Sequence, residues 1–238
     1  MNESWDPDEA WGVRHSHPAW VVRAFRQALE AHGYSAEELE DVLAADNEVP
    51  TVTLVARPGL MSVDELADEA EDILDTRVAR GAVSPRAVLL ESGDPARLPS
   101  IRDGRSVAQD EGSQLAALIA AHAPLDGGED ARWLDMCAGP GGKAAMLAGL
   151  AAECGARVTA NEVHPHRARL IERTTRQYDS IEVVRGDGRT FGGGGTAWPL
   201  ASFDRVVVDA PCSGMGSMRR RPESRWNRTP GDVEEPPS

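Results

Sequence analysis

From Ala131 onward the chain alternates strand-like and helix-like segments, and this rhythm restricts the possible folds more than any other feature. "ARWLDMCAG" reads as a strand running into a glycine loop, and "GKAAMLAGLAAEC" as a helix. "ARVTANE" is strand-like, "HPHRARLIERTTRQY" helical, "IEVVRGD" strand-like, and "FDRVVVDAP" a fourth strand after a "GGGG" loop. A β-α-β-α-β order predicts an α/β fold with a parallel, doubly wound sheet, because parallel neighbours need a long crossover between them. Ligands of such sheets sit beyond the carboxyl ends of the strands.

The residues before this sheet have a different pattern. Pro18–His32 places Trp20, Val21, Ala24, Phe25, Ala28 and Leu29 at helical spacing, with Gly33 as a stop. "TVTLVARPG" and "RAVLLES" are strand-like, and "SVDELADEAEDIL" is a helix opening on a Ser cap. We therefore expect an acidic leader over 1–12, a small α+β domain over 13–103, and the parallel-sheet domain over 104–238. "SVAQDEGSQLAALIAAHAP" is expected to be one helix, with "LDGGED" after it as a flexible polar link.

The 238 residues carry a net charge of −14, which argues against nucleic acid unless basic residues cluster. They do cluster: Arg219, Arg220, Arg221, Arg225 and Arg228 fall within one stretch. Lys143 is the sole lysine. No apolar run is long enough to span a membrane, and the acidic start lacks a signal pattern, so a cytoplasmic protein is expected. Cys137, Cys154 and Cys212 form neither a disulfide framework nor a zinc motif, and His164 and His166 alone read as surface residues, so no metal is expected.

"DMCAGPGGKAA" fails both familiar phosphate motifs. The P-loop pattern would need glycine at Cys137 and Ser or Thr at Ala144, and Gly139, Gly141 and Gly142 do not have dinucleotide spacing. What remains is a strand ending at Asp135 and a tight turn whose helix-end amides can face a ligand carboxylate. Glu162, Asp187 and Asp209 follow at the ends of the next three strands. Four acids around a glycine turn suit a ligand with ribose hydroxyls, an adenine amine, an ammonium and a sulfonium, which is S-adenosyl-L-methionine.

Together, "DMCAGPGGKAA" and "DAPCSGMGSMRRRPESRWN" resemble the RsmB/Fmu/Sun family of RNA (cytosine-5) methyltransferases. "QDEGSQ" resembles that family's QDxxS segment, and "SHPAWVVRAF" and "VTLVARP" its small RNA-binding domain. The resemblance implies a Rossmann-like methyltransferase acting on RNA, most naturally ribosomal RNA. Its cofactor loop matches Cys137, Ala138, Gly139, Pro140, Gly141, Gly142 and Lys143, and its cofactor acids match Glu162, Asp187 and Asp209. The loop has AGPGGK where the family often has AAPGGK. Arg219, Arg220, Arg221 and Arg225 are the expected phosphate contacts.

Methylating carbon 5 of cytosine calls for a thiolate that adds to carbon 6, and for a carboxyl at ring nitrogen 3, for which Asp209 is the candidate. The family has two cysteines, and Cys212 matches the one in its Asp-Ala-Pro-Cys motif, which assists product release. The attacking cysteine belongs to a later Thr-Cys motif, and no Thr-Cys occurs in these 238 residues. The alternative is thus a truncated or degenerate module that holds cofactor or RNA without turnover; a small-molecule methyltransferase fits the Asp-Ala-Pro-Cys motif and the arginines less well. A complete sheet is expected to be monomeric, and an incomplete one to associate through "FDRVVVDAP" as an exposed edge.

Overall fold

The computed structural model describes residues 6–193 and 198–234. Gly194 and Gly195 of the glycine run and the first five residues of the leader lie outside them. By internal contacts the chain groups into two compact units, one of residues 51–210 and one of residues 1–50 with 211–238.

The larger unit holds two sheets. The first is antiparallel, in the order β2-β3-β1-β4, from β1 (Val52–Ala56), β2 (Val78–Arg80), β3 (Ala87–Leu90) and β4 (Ser106–Ala108). Helix α4 (Val63–Leu74) covers one of its faces. Its expected Ser cap is a full capping box: Ser62 Oγ accepts the Glu65 N–H at 3.2 Å and Glu65 Oε2 accepts the Ser62 N–H at 2.7 Å. Alternation along β1 sends Leu54 and Ala56 toward Leu66 and Ala70 of α4, and Val55 into a second core.

That second core belongs to the parallel sheet, ordered β7-β6-β5-β8, from β5 (Arg132–Asp135), β6 (Arg157–Asn161), β7 (Ile181–Val184) and β8 (Arg205–Val207). The expected four strands are all present and all parallel. Helix α7 (Gly142–Cys154) lies beside α6 (Glu111–His122) and α8 (Pro165–Thr175). Chain order runs outward from β5 through β6 to β7, and β8 then adds on the other side of β5. The switch point is therefore at the end of β5, where "DMCAGPGGK" leaves the sheet.

Two expectations change, and one strand was not expected. The helix expected from Ser106 starts at Glu111, because Ser106–Ala108 pairs with β1 as β4. Strand β2 escapes a pattern reading because three residues carry no periodicity. The leader boundary at residue 12 falls inside α1 (Pro7–His15), whose N-cap Asp6 accepts the Asp8 N–H.

Helix α7 sits tightly on the turn after β1. A Cβ added at Gly149 would lie 2.6 Å from the Pro58 carbonyl oxygen and 2.8 Å from its Cβ. Gly149→Ala gains up to about 1 kcal/mol of helix propensity but overpacks against backbone, at about 1–3 kcal/mol. The expected outcome is a lower melting temperature in calorimetric scans; an unchanged or higher one would contradict this packing.

In the smaller unit, α1, α2 (Ala19–Ala31) and α3 (Glu38–Ala45) bury Val22, Leu39 and Leu43 with Trp11, Phe25 and Leu29 around them. Asp8, also buried, pairs with Arg23 and Arg26.

Candidate functional site

The loop after β5 is stitched to the neighbouring strand ends. The Met136 N–H donates to the Val207 carbonyl at 2.9 Å, and the Ala138 N–H to the Asn161 carbonyl at 2.9 Å. The Asn161 side chain, buried at the end of β6, donates to the carbonyls of Met136 and Gly186, both at 3.0 Å. The ends of all four parallel strands are thereby held in one frame. Asn161 is a residue the motif reading missed, because its role lies in bonds to two other loops.

Glu162 is buried at the end of β6. Its Oε1 accepts the His164 N–H at 2.9 Å and its Oε2 lies 3.4 Å from Arg167 Nε. Arg167 Nη2 also donates to the Gly139 carbonyl at 2.6 Å, tying the acid to the glycine turn. A Cβ at Gly139 would stand 2.3 Å from Glu162 Oε2, so the carboxylate rests directly on the turn's backbone. Gly141, at φ 111°, is the N-cap of α7 and brings no side-chain cap, which leaves the first-turn amides of α7 open to a ligand anion.

Asp135, the first of the four strand-end acids, closes β5. It is 1% exposed, and among the described residues neither carboxylate oxygen has a hydrogen-bond partner of good geometry. Burial pushes its pKa up to about 7, the Asp209 and Glu162 charges add to the rise, and Lys143 and the Cys137 amide oppose it. The same acids surround Cys137: burial first, then Asp135, Glu162 and Asp209, raise its thiol pKa, which suits a packing residue better than a nucleophile.

At the end of β8, Lys143 Nζ donates to Asp209 Oδ2 at 2.6 Å. The lone lysine of the loop thus holds the acid of the Asp-Ala-Pro-Cys motif, which is 59% exposed at its side chain. Asp187 lies after β7, where Arg189 grips it in a fork with Nη2–Oδ2 at 2.6 Å and lowers its pKa to about 2. It lines a pocket with Gly186, Thr190, Phe191 and Trp198. Cys212, three residues beyond Asp209, is a free and exposed thiol.

The arginine run divides. Arg219, Arg220 and Arg221 are exposed, Arg219 bonding Glu48 at 3.3 Å. Arg225 corrects the expectation of a phosphate contact: it is 3% exposed. Its guanidinium donates to Asn47 Oδ1 at 2.7 Å and to the carbonyls of Ser16 and Asp46, joining the C-terminal segment to the loops after α1 and α3. No group of three potential metal ligands occurs among the described residues.

Residues 122–237 match the family model described as 16S rRNA methyltransferase RsmB/F. The chain is 51% identical over 222 residues to the "Putative methyltransferase Rv1407" of Mycobacterium tuberculosis, covering 92% of this chain and 44% of that protein. It is 29% identical over 233 residues to the "Probable ribosomal RNA small subunit methyltransferase B" of Bacillus subtilis, covering 95% and 48%. The chain therefore spans less than half the length of either relative. The crystal structure of PH0851 superposes with a TM-score of 0.80 at 20% identity, over 99% of this chain and 50% of that one, and thus shares its fold. Residues 122–237 thus belong to the RsmB/F methyltransferase family, and the chain has an S-adenosylmethionine-dependent methyltransferase fold.

Proposed function

We propose that this chain carries the cofactor-binding and RNA-contacting part of a methyltransferase acting on carbon 5 of a cytosine in RNA, most naturally ribosomal RNA. The observation that carries the reading is the buried, unpartnered carboxylate of Asp135 beside Glu162 and an uncapped helix N-terminus. A ligand with an ammonium, hydroxyls and a carboxylate answers all three, and S-adenosyl-L-methionine has them. When bound, it supplies an electrophilic methyl group.

Asp135 would pair with the ammonium, Glu162 with ribose hydroxyls, and the α7 amides with the carboxylate. Asp187 and its pocket would take the adenine. Lys143 orients Asp209, and a proton shared between Asp209 and ring nitrogen 3 favours addition at carbon 6. Cys212 assists product release. Arg219, Arg220 and Arg221 receive RNA phosphates, together with surfaces of residues 13–103.

Glu162→Ala is expected to weaken S-adenosylmethionine binding by about 1–3 kcal/mol, or about 5- to 150-fold, through loss of a charge-assisted hydrogen bond. Titration calorimetry on folded parent and variant checks it. Equal affinities would remove Glu162 from the ribose, and a parent without heat of binding would remove the cofactor reading.

A further inference from the structure

Away from the strand-end acids, a cleft of about 230 Å³ in the larger unit lies between α8, β4 and α5 (Pro99–Asp103). Four arginines line it, Arg57, Arg102, Arg173 and Arg176, and no Asp or Glu does among the described residues. In a chain of net charge −14, such a site is a local reversal.

Arg57 is 4% exposed. Its Nη1 donates to the carbonyls of Gly104 at 2.8 Å and Thr174 at 2.9 Å, which fixes the guanidinium, while its buried Nε–H has no partner among the described residues. An unsatisfied charged donor is unfavourable unless something occupies the site. Burial lowers the Arg57 pKa, and the Arg176 charge lowers it further, so the two cations sense each other. Arg102, Arg173 and Arg176 are exposed, and none forms an ion pair among the described residues. This differs from Arg77, Arg80 and Arg105, each of which faces a carboxylate. Like-charged side chains gathered without counter-ions are a poor way to stabilise a fold and a good way to receive an anion.

We infer that this cleft is a phosphate-binding site for the RNA strand, with Arg57 as its fixed donor and Arg102, Arg173 and Arg176 as its mobile ones. The inference rests on the RNA reading above and adds a second set of contact residues to Arg219–Arg221. It is also tied to the cofactor loop. Thr174, whose carbonyl holds Arg57, sets its side chain against Gly141, where an added Cβ would lie 3.1 Å from the Thr174 Cβ. RNA seated in the cleft therefore bears on a residue that packs on the α7 N-cap.

The test is a salt titration of the 238-residue chain binding unmodified 16S ribosomal RNA. A variant carrying Arg102→Ala, Arg173→Ala and Arg176→Ala is compared with a charge-matched control carrying Arg77→Ala, Arg132→Ala and Arg157→Ala. At about 0.7 per phosphate contact on a single strand, the cleft variant is expected to lose about 2 from the slope of log K against log salt. Its affinity at low salt should fall at least about tenfold, with S-adenosylmethionine binding and melting temperature kept. Arg57 is left intact because it braces two carbonyls. A parent that binds with a salt-dependent affinity and a cleft variant that matches it would overturn the cleft alone. Equal losses in variant and control would do the same, as would poly-glutamate displacing RNA as well as free RNA does. A parent without RNA affinity would overturn the RNA reading along with it.

Discussion

Asp135→Asn is expected to stabilise the folded chain near neutral pH, by an amount that disappears on acidification to about pH 4. The folded-state pKa of Asp135 is raised from 3.8 to about 7, chiefly by burial. Below pH 4 the carboxyl is protonated in both folded and unfolded chains, and its contribution is neutral. Between pH 4 and pH 7 the unfolded chain ionises while the folded chain holds the proton, so folding becomes less favourable as pH rises. Above pH 7 the full penalty applies, with a ceiling of about 4 kcal/mol for a shift of about three units. Asparagine keeps the shape and removes the charge. Urea melts of both proteins from pH 4 to pH 8 should show curves that converge at the acidic end and separate with rising pH. An asparagine variant no more stable than the parent at pH 8 would mean that the buried carboxylate is not the liability its surroundings indicate. The same residue links stability to the proposed function. A ligand ammonium would hold the carboxylate ionised, so binding between pH 5 and pH 7 should release a proton, seen as a heat that varies with the buffer's ionisation enthalpy.

Asp135 also shows what a sequence can and cannot reveal. Its place at the end of an apolar strand was readable from "ARWLD", and so was the glycine turn after it. That it would be the one acid of the four without a well-formed hydrogen bond or ion pair among the described residues was not readable. Glu162 has His164 and Arg167, Asp187 has Arg189, and Asp209 has Lys143. Those pairings arise partly across strand ends, and for Lys143 and Asp209 they span 66 residues. The parallel sheet itself was legible because strand-helix alternation is local and repeated. Strands β2 and β4 were not, since each has three residues and depends on partners in β3 and β1. Arg225 failed for a similar reason. Within "RRRPESRWNR" it looks like its neighbours, yet its acceptors are 178 to 209 residues away. Composition marks an arginine as a phosphate ligand, but burial decides it.

No cytosine methylation is expected from these 238 residues purified alone, even with cofactor bound. Carbon 5 of cytosine becomes nucleophilic only after a thiolate adds to carbon 6, and in the family that thiol belongs to a Thr-Cys motif. The 238 residues contain three cysteines and no Thr-Cys. Cys154 ends α7, its thiol donating to the Ala151 carbonyl at 3.4 Å, and Cys137 has a raised pKa among carboxylates. Neither belongs to the Asp-Ala-Pro-Cys segment, and the raised pKa makes the Cys137 thiol a weaker nucleophile. Cys212 is exposed and close in sequence to Asp209, and the proposed function gives it product release rather than attack. Losing the adding thiol removes the covalent route itself, so the expected effect is loss of turnover to background. The measurement is transfer from radiolabelled S-adenosylmethionine to unmodified ribosomal RNA, by the parent and by Cys212→Ala, with cofactor binding followed by calorimetry to show that both are folded. Label incorporated by the parent and lost in the variant would make Cys212 the nucleophile, and the assignment of the two cysteine roles would then have to be reversed for this chain.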